Sequence, residues 1–298
     1  MQIGVGKLKH VLFGLTLWLF CPAHFAVAEP SVQLLSKTTW VEQADWFGGF
    51  SGIEVSSDGL SLTLLSDRGT LVRAKITRTG GLIDAVKAVS NMTLSQADGT
   101  ALKRTDRDSE GLAVLADGTA FISLEHNHRV AKVDLDTARL SDIEKHPDFA
   151  GFALNRGLEP LAAHPDGTLY TLAEGGVEHP DGIAVYVLRD SAWTIAHRIP
   201  ASRPFQPVGA DFDEKGRLYL LERTVSPLGF RTQIRRFDFD AETLQEETLI
   251  TSFPAAFDNL EGLTLWTDSN GMTRLILLSD DNFFRLQTTQ IIEFAVTR

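Results

Sequence analysis

The chain has very little sulfur chemistry to work with. Of its 298 residues only Cys21 is a cysteine. A lone thiol cannot form an internal disulfide or a thiolate zinc cluster. Positive charge is also short, with 28 Lys and Arg against 39 Asp and Glu, a formal net charge of −11. No basic cluster interrupts that balance, so nucleic acid and anionic membrane surfaces are excluded as partners. Past the first 28 residues there is no sustained helical period. The phosphate-binding loop, the dinucleotide fingerprint and the His-Glu-x-x-His zinc motif are all missing. A nucleophile elbow is missing too, since Gly49-Phe50-Ser51-Gly52 lacks the final glycine.

The first 28 residues read as a secretory signal peptide. Lys7, Lys9 and His10 make a basic start, and Val11 to Phe20 is an apolar stretch of 10 residues, too short to span a bilayer. Ala26-Val27-Ala28 supplies the small-x-small cleavage site before Glu29-Pro30. The short basic start and compact apolar region look bacterial, so the expected location is periplasmic or secreted, with no membrane anchor after cleavage. Cleavage removes Cys21, leaves 270 residues as one domain over 29–298, and shifts the formal charge to 26 − 39 = −13.

What the chain does have is one pattern written five times: Glu-Gly-Leu or a variant, an apolar run, a turn, a second apolar run, then acidic residues. The second copy is the clearest, with Glu110-Gly111-Leu112, the Asp117-Gly118 turn, Phe121 to Leu124 and then Glu125-His126-Asn127. The third runs from Glu159 to Glu174 and the fifth from Glu261 to Asp280-Asp281-Asn282. The first begins at Ser51-Gly52 and ends at Asp67-Arg68. The fourth, the most worn, begins at Val208-Gly209 and ends at Glu222-Arg223. Copies start at 51, 110, 159, 208 and 261, spacings of 59, 49, 49 and 53. A period near fifty with several short strands per unit is that of a β-propeller blade.

A third strand follows each copy, at Leu71–Thr77, Arg129–Leu135, Ile183–Arg189, Gln233–Phe239 and Gln290–Val296. A fourth follows the first four copies, near Ile83–Val89, Leu140–His146, Trp193–Ile199 and Glu246–Phe253. The fifth copy has no fourth strand, while Val32–Val41 is strand-like and has no copy. The spacing therefore predicts an all-β propeller of five four-stranded antiparallel blades rather than six, its ring closed by the N-terminal strand.

The repeat also predicts a face. Residues that begin the innermost strand and residues that end the second strand lie together, opposite the Asp-Gly turns. That face gathers Ser51, Glu110, Glu159 and Glu261 with Asp67, Arg68, Glu125, His126, Asn127, Glu174, Glu222, Arg223, Asp280, Asp281 and Asn282; Arg107, Asn155 and Arg156 lie close by. Carboxylates a few ångströms apart repel by roughly 1 kcal/mol or more per pair, so bound cations, arginines or raised pKa values must offset them. Oxygen-rich irregular clusters suit Ca²⁺. Glu110, Glu159, Glu174, Glu261, Asp280 and Asp281 are candidate metal ligands. The regular Glu110, Glu159 and Glu261 are equally good candidates for staples that hydrogen-bond amides of the next blade. Asp67-Arg68, His126-Asn127, Asn155-Arg156, Arg223 and Asp281-Asn282 break the repeat and carry more functional information; the candidate catalytic set is Asp67, Arg68, Glu125, His126, Arg156 and Arg223. Of His126 and His128, one is expected to face the site.

Ser-Asp-Arg-Gly (66–69), Asp-Ser-Glu-Gly-Leu-Ala (108–113), Asn-Arg-Gly-Leu-Glu (155–159) and Asn-Leu-Glu-Gly-Leu (259–263) resemble the bacterial phytase-like propeller family, over nearly all of residues 45–296. The resemblance implies a secreted protein that hydrolyses phosphate or carboxylate esters at a metal site on the channel face. Propeller phytases have six blades, against five counted here. The leading expectation is a divalent-cation-dependent ester hydrolase, monomeric, with a small anionic ester as substrate bound by Arg68, Arg156 and Arg223. A lactonase is a second reading, because Glu-Gly-Leu also resembles the blades of gluconolactonase-like propellers. A third is a non-catalytic periplasmic binding or scaffold propeller.

Overall fold

Among the described residues the short apolar runs form twenty strands, which pair into five separate four-stranded antiparallel sheets. The computed structural model describes Met1 and residues 31–174, 181–241 and 243–297. The expected signal peptide, beyond Met1, lies outside the described residues. In chain order, β1 (Val32–Thr39) precedes the first complete blade, β2 (Phe50–Val55), β3 (Ser61–Ser66), β4 (Thr70–Thr79) and β5 (Leu82–Thr93). Blade 2 is β6 (Ser109–Val114), β7 (Ala120–Leu124), β8 (Arg129–Asp134) and β9 (Arg139–Asp142). Blade 3 is β10 (Leu158–Ala163), β11 (Leu169–Ala173), β12 (Ile183–Arg189) and β13 (Ala192–Ile199). Blade 4 is β14 (Gln206–Phe212), β15 (Leu218–Ser226), β16 (Gly229–Asp238) and β17 (Gln245–Thr251). Blade 5 is β18 (Asn259–Thr267), β19 (Thr273–Asp280) and β20 (Gln290–Val296), with β1 as its outer strand.

That last pairing closes the ring: Val32 lies opposite Val296 and Thr39 opposite Gln290. Trp40 then stacks on Phe50 of β2, ring centroids 5.3 Å apart, which fixes the closing strand to blade 1. The expected five blades and N-terminal closure are therefore both present. The fourth strand of blade 2 is shorter than expected, because Pro147 opens a 3-10 turn (Pro147–Gly151) whose first amide, that of Asp148, donates to His146. The blade 4 outer strand stops at Thr251, leaving Phe253 exposed.

The core is divided among the blade interfaces. Leu65 and Leu71 of blade 1 pack with Leu112, Ile122 and Leu124 of blade 2, and four equivalent clusters fill the other interfaces. This is what a strand pair buried on both faces requires: near-continuous Leu, Ile and Val rather than alternation. The Asp-Gly turns are ordinary hairpins in which Asp58, Asp117 and Asp166 accept the amides of Leu60, Thr119 and Thr168.

The Glu-Gly repeat has a backbone cause. In each blade the innermost strand shifts register at this point, between Ser109 and Leu112 in blade 2 and between Leu260 and Gly262 in blade 5. A bulge of this kind re-aims one side chain. The following glycine admits the neighbouring blade: a Cβ on Gly111 would lie 2.5 Å from the Glu159 carbonyl oxygen, and one on Gly209 would lie 2.4 Å from that of Glu261. The innermost strands thus approach backbone to backbone and the channel is narrow.

Candidate metal centre

Bulges and strand ends deliver the carboxylates to one mouth of this channel. Glu110, Glu159 and Glu261 come from β6, β10 and β18. Asp67, Glu125 and Glu174 directly follow β3, β7 and β11, and Asp280 ends β19. Mutual influence shows that they form one electrostatic unit. Burial, followed by repulsion from Glu159, Glu261, Asp108 and Glu125, drives the Glu110 carboxyl well above the ordinary range. Burial, then Asp108, pushes Asp67 to about 7, and burial, then Glu261, pushes Asp280 to about 8. Burial also raises Glu125, Glu159 and Glu174 above the ordinary carboxylate range.

The staple reading of the repeated glutamates finds little support. Glu110 has no hydrogen-bond partner among the described residues, and Glu261 bonds to side chains, accepting from Asn259 Nδ2 at 2.8 Å and pairing with Arg223 at 3.0 Å. The inter-blade staples here are hydroxyls: Ser51 Oγ donates to the Ser109 carbonyl, Ser109 Oγ to that of Ser66, and Ser123 Oγ to that of Glu159. Acidic staples do occur, but deeper along the innermost strands. Glu54 accepts the Val114 amide and Asp211 the Leu265 amide.

The other predicted residues divide clearly. Arg223 reaches into the ring between Glu261 and Glu174, the latter at 3.7 Å. Burial opposes its charge, but Glu261, Glu159, Glu174 and Glu110 outweigh that and raise its pKa. Arg68 and Arg156 are exposed. The Arg68 guanidinium carbon lies over Phe283, 3.1 Å from the ring centre, and Arg156 is close enough to Glu174 to act on its charge. Asp281 accepts the amides of Gly49 and Phe283 and the Thr289 hydroxyl, so it latches the loop after β19 to the segment before β2. Asn127 turns outward to Asp106 and Lys145.

Glu222 is a correction. Strand alternation sends it away from the channel, where both its oxygens bind Arg235 at 2.6 Å in full burial. His126 and His128 separate as expected. His128 is buried with Nε2 3.1 Å from the Ala153 carbonyl. His126, held at φ +56, directs Nδ1 to within 2.5 Å of Asp108 Oδ2, out of line for a hydrogen bond.

Asp108 and Asn259 are the functional residues that sequence reasoning missed. A signal existed: both stand two residues before a repeated glutamate, in Asp-Ser-Glu110 and Asn-Leu-Glu261. Ligand atoms of Asp108, Glu125 and His126 lie within 4.8 Å of one another. Asp67 Oδ1, Asn259 Oδ1 and His126 Nδ1 are buried and have no hydrogen-bond partner among the described residues. Orphaned acceptors beside carboxylates with raised pKa values are the donor set that a divalent cation satisfies.

Residues 45–283 match the family model described as Phytase-like: Esterase-like activity of phytase. The chain belongs to the phytase-like family. No curated protein sequence matches it. Among solved structures, it resembles a luciferin-regenerating enzyme at 12% identity, covering 90% of this chain and 95% of that one, with TM-score 0.50. It also resembles the PQQ-bound aldose sugar dehydrogenase of Streptomyces coelicolor at 13% identity, covering 90% and 98%, with TM-score 0.50. A gluconolactonase of Xanthomonas campestris is similar at 16% identity over 82% and 72%, with TM-score 0.47. The two structures at TM-score 0.50 share their fold with this phytase-like chain.

Proposed function

We propose that this phytase-like propeller is an exported, divalent-cation-dependent ester hydrolase acting on small phosphoesters. The carrying observation is the convergence of Asp108, Glu125 and His126 at a channel mouth flanked by two exposed arginines. These three residues would hold the cation, which supplies a Lewis acid and an activated water. Two carboxylates suit Ca²⁺ or Mn²⁺, and the imidazole extends the range to Zn²⁺. Arg68 and Arg156 recognise the anionic group by charge-assisted hydrogen bonds, and stacking on Phe283 preorganises Arg68. Asp67, with Oδ1 free of hydrogen bonds among the described residues, accepts a proton from the attacking water and returns one to the leaving alcohol. Arg223 is engaged by carboxylates and takes no part in binding substrate.

The test is a turnover screen of residues 29–298 on phosphomonoesters, phosphodiesters, carboxylic esters and lactones, with Ca²⁺, Mg²⁺, Mn²⁺ or Zn²⁺. Phosphoester hydrolysis that chelator abolishes, and that D108N and E125Q reduce at least tenfold, is the expected result. Turnover confined to lactones moves the assignment to a lactonase. No turnover with any cation removes the enzyme reading and leaves a binding propeller.

A further inference from the structure

Two turns meet beside the cation ligands, and one imidazole joins them. The first, between β7 and β8, carries Glu125, His126 and, at its end, His128. The second runs from Phe152 to Gly157, just before β10, and carries the exposed Arg156. His128 is 7% exposed, and its Nε2 lies 3.1 Å from the Ala153 carbonyl oxygen. A carbonyl only accepts, so Nε2 carries a hydrogen and donates it. The same oxygen accepts the Arg156 amide at 3.0 Å. The Ala153 carbonyl is therefore the pivot of the turn that presents Arg156. Leu154 and Asn155 are exposed, and among the described residues no other hydrogen bond ties Ala153, Leu154 or Asn155 to the fold. The His128 ring also meets Phe152 edge-on, centroids 5.8 Å apart. At the far end of the turn, a Cβ on Gly157 would fall 2.0 Å from Nδ1, so only glycine lets the chain lie against the imidazole. Gly157 has holds of its own: its amide donates to Glu125 Oε1 at 3.0 Å and its carbonyl accepts the Glu174 amide at 2.9 Å.

We propose that His128 is a positioning residue. Through the Ala153 carbonyl it fixes the turn that presents Arg156, so that the arginine stands at a set place relative to Glu125 and His126, three and two residues before it in the chain. The inference rests on the substrate reading put forward above, in which Arg156 recognises the anionic group. His128 touches neither cation nor substrate; it acts by preorganising a recognition group that exposure would otherwise leave free to wander.

Inorganic phosphate is the probe, titrated by calorimetry into Mn²⁺-loaded wild type, H128F, H128Q, R156A and the double variant H128F/R156A. Phenylalanine keeps a ring against Phe152 but cannot donate, whereas glutamine places an amide nitrogen near where Nε2 stands. R156A should weaken phosphate binding about tenfold or more and H128F about fivefold or more, while the double variant falls no more than about twofold below R156A, because both changes remove one arrangement. H128Q should stay within about threefold of wild type, and Mn²⁺ affinity within about threefold in every variant, since Glu125 keeps its bond to Gly157. H128F that binds phosphate like wild type, losses that add in the double variant, or H128Q no better than H128F each overturn the inference and leave the phosphoester reading in place. Wild type that binds no phosphate overturns that reading and the inference with it. If H128F fails to fold, H128N replaces it under the same criteria, because its shorter side chain cannot reach the Ala153 carbonyl.

Discussion

Gly111→Ala tests whether the narrow channel is built by backbone contact. The added Cβ would meet the Glu159 carbonyl oxygen at 2.5 Å, Leu161 Cβ at 2.7 Å and Ser123 Oγ at 2.8 Å. Two of these groups cannot swing aside: one is backbone and one is a Cβ. Ser123 Oγ also accepts the Gly111 amide and donates to Glu159, so moving it breaks the staple between blades 2 and 3. Overpacking of a tight site costs about 1–3 kcal/mol and the lost hydrogen bonds about 1 kcal/mol more, together roughly 2–4 kcal/mol. For a chain of this size that is a fall in melting temperature of about 4–8 °C. Spreading the two strands also shifts Asp108, which directly precedes β6, relative to Glu125 and His126, so cation affinity should weaken with stability. Differential scanning calorimetry, with calorimetric titration of Mn²⁺, reads both. Gly118→Ala is the control, because it sits at φ +85 with nothing within 4 Å and should cost only the backbone strain, about 1 kcal/mol. If Gly111→Ala melts with the wild type, the blades are not in backbone contact and the account of the Glu-Gly repeat is wrong.

Glu222→Ala should cost about 3 kcal/mol by taking two hydrogen bonds from the buried Arg235, which keeps Glu246 and the Pro200 carbonyl, yet leave cation affinity unchanged because the pair faces away from the channel; a loss of affinity at constant stability would reverse that placement. Burial, opposed by hydrogen bonds from Leu265 and Phe212, puts the Asp211 carboxyl at about 7, so the folded state binds more protons than the unfolded one between about pH 4 and 7. Metal-free protein should therefore lose stability as pH rises through that window, by up to about 4 kcal/mol from this group, and Asp211→Asn should flatten the slope; a slope of opposite sign in a pH series of urea melts refutes it. Mn²⁺ at a hundred times its dissociation constant should raise unfolding free energy by about 2.7 kcal/mol, and Glu125→Gln should abolish most of that gain; equal gains in both proteins would take Glu125 out of the site.

The fold was almost wholly legible because a propeller writes its period into the chain. Ile183–Arg189 and Gln290–Val296 are strands with the very ends that the apolar runs mark. Orientation was less legible. Glu222 and Arg223 are neighbours in sequence and point to opposite sides of one strand, and only pairing with Arg235 shows which is which. Asp108 and Asn259 escaped notice because they precede the repeat rather than belong to it; their value comes from chain approach at the mouth. Asp281 resembles a ligand beside Asp280, but its oxygens are taken by the Gly49 and Phe283 amides and the Thr289 hydroxyl, contacts that the repeat does not encode.

The joint between β1 and β20 has a consequence in time. Val32 must find Val296, nearly the whole length of the chain away. Every other blade is completed from strands next to one another in sequence, so each can be assembled soon after it is made. Blade 5 alone waits, and until it is sealed the unpaired edge of β20 and the faces of blades 1 and 5 stay open to water and to other chains. The hazard of misassembly is thus concentrated in one late event and one eight-residue strand. Damage to β1 should therefore show first as aggregation during refolding, before any loss in the finished protein's channel.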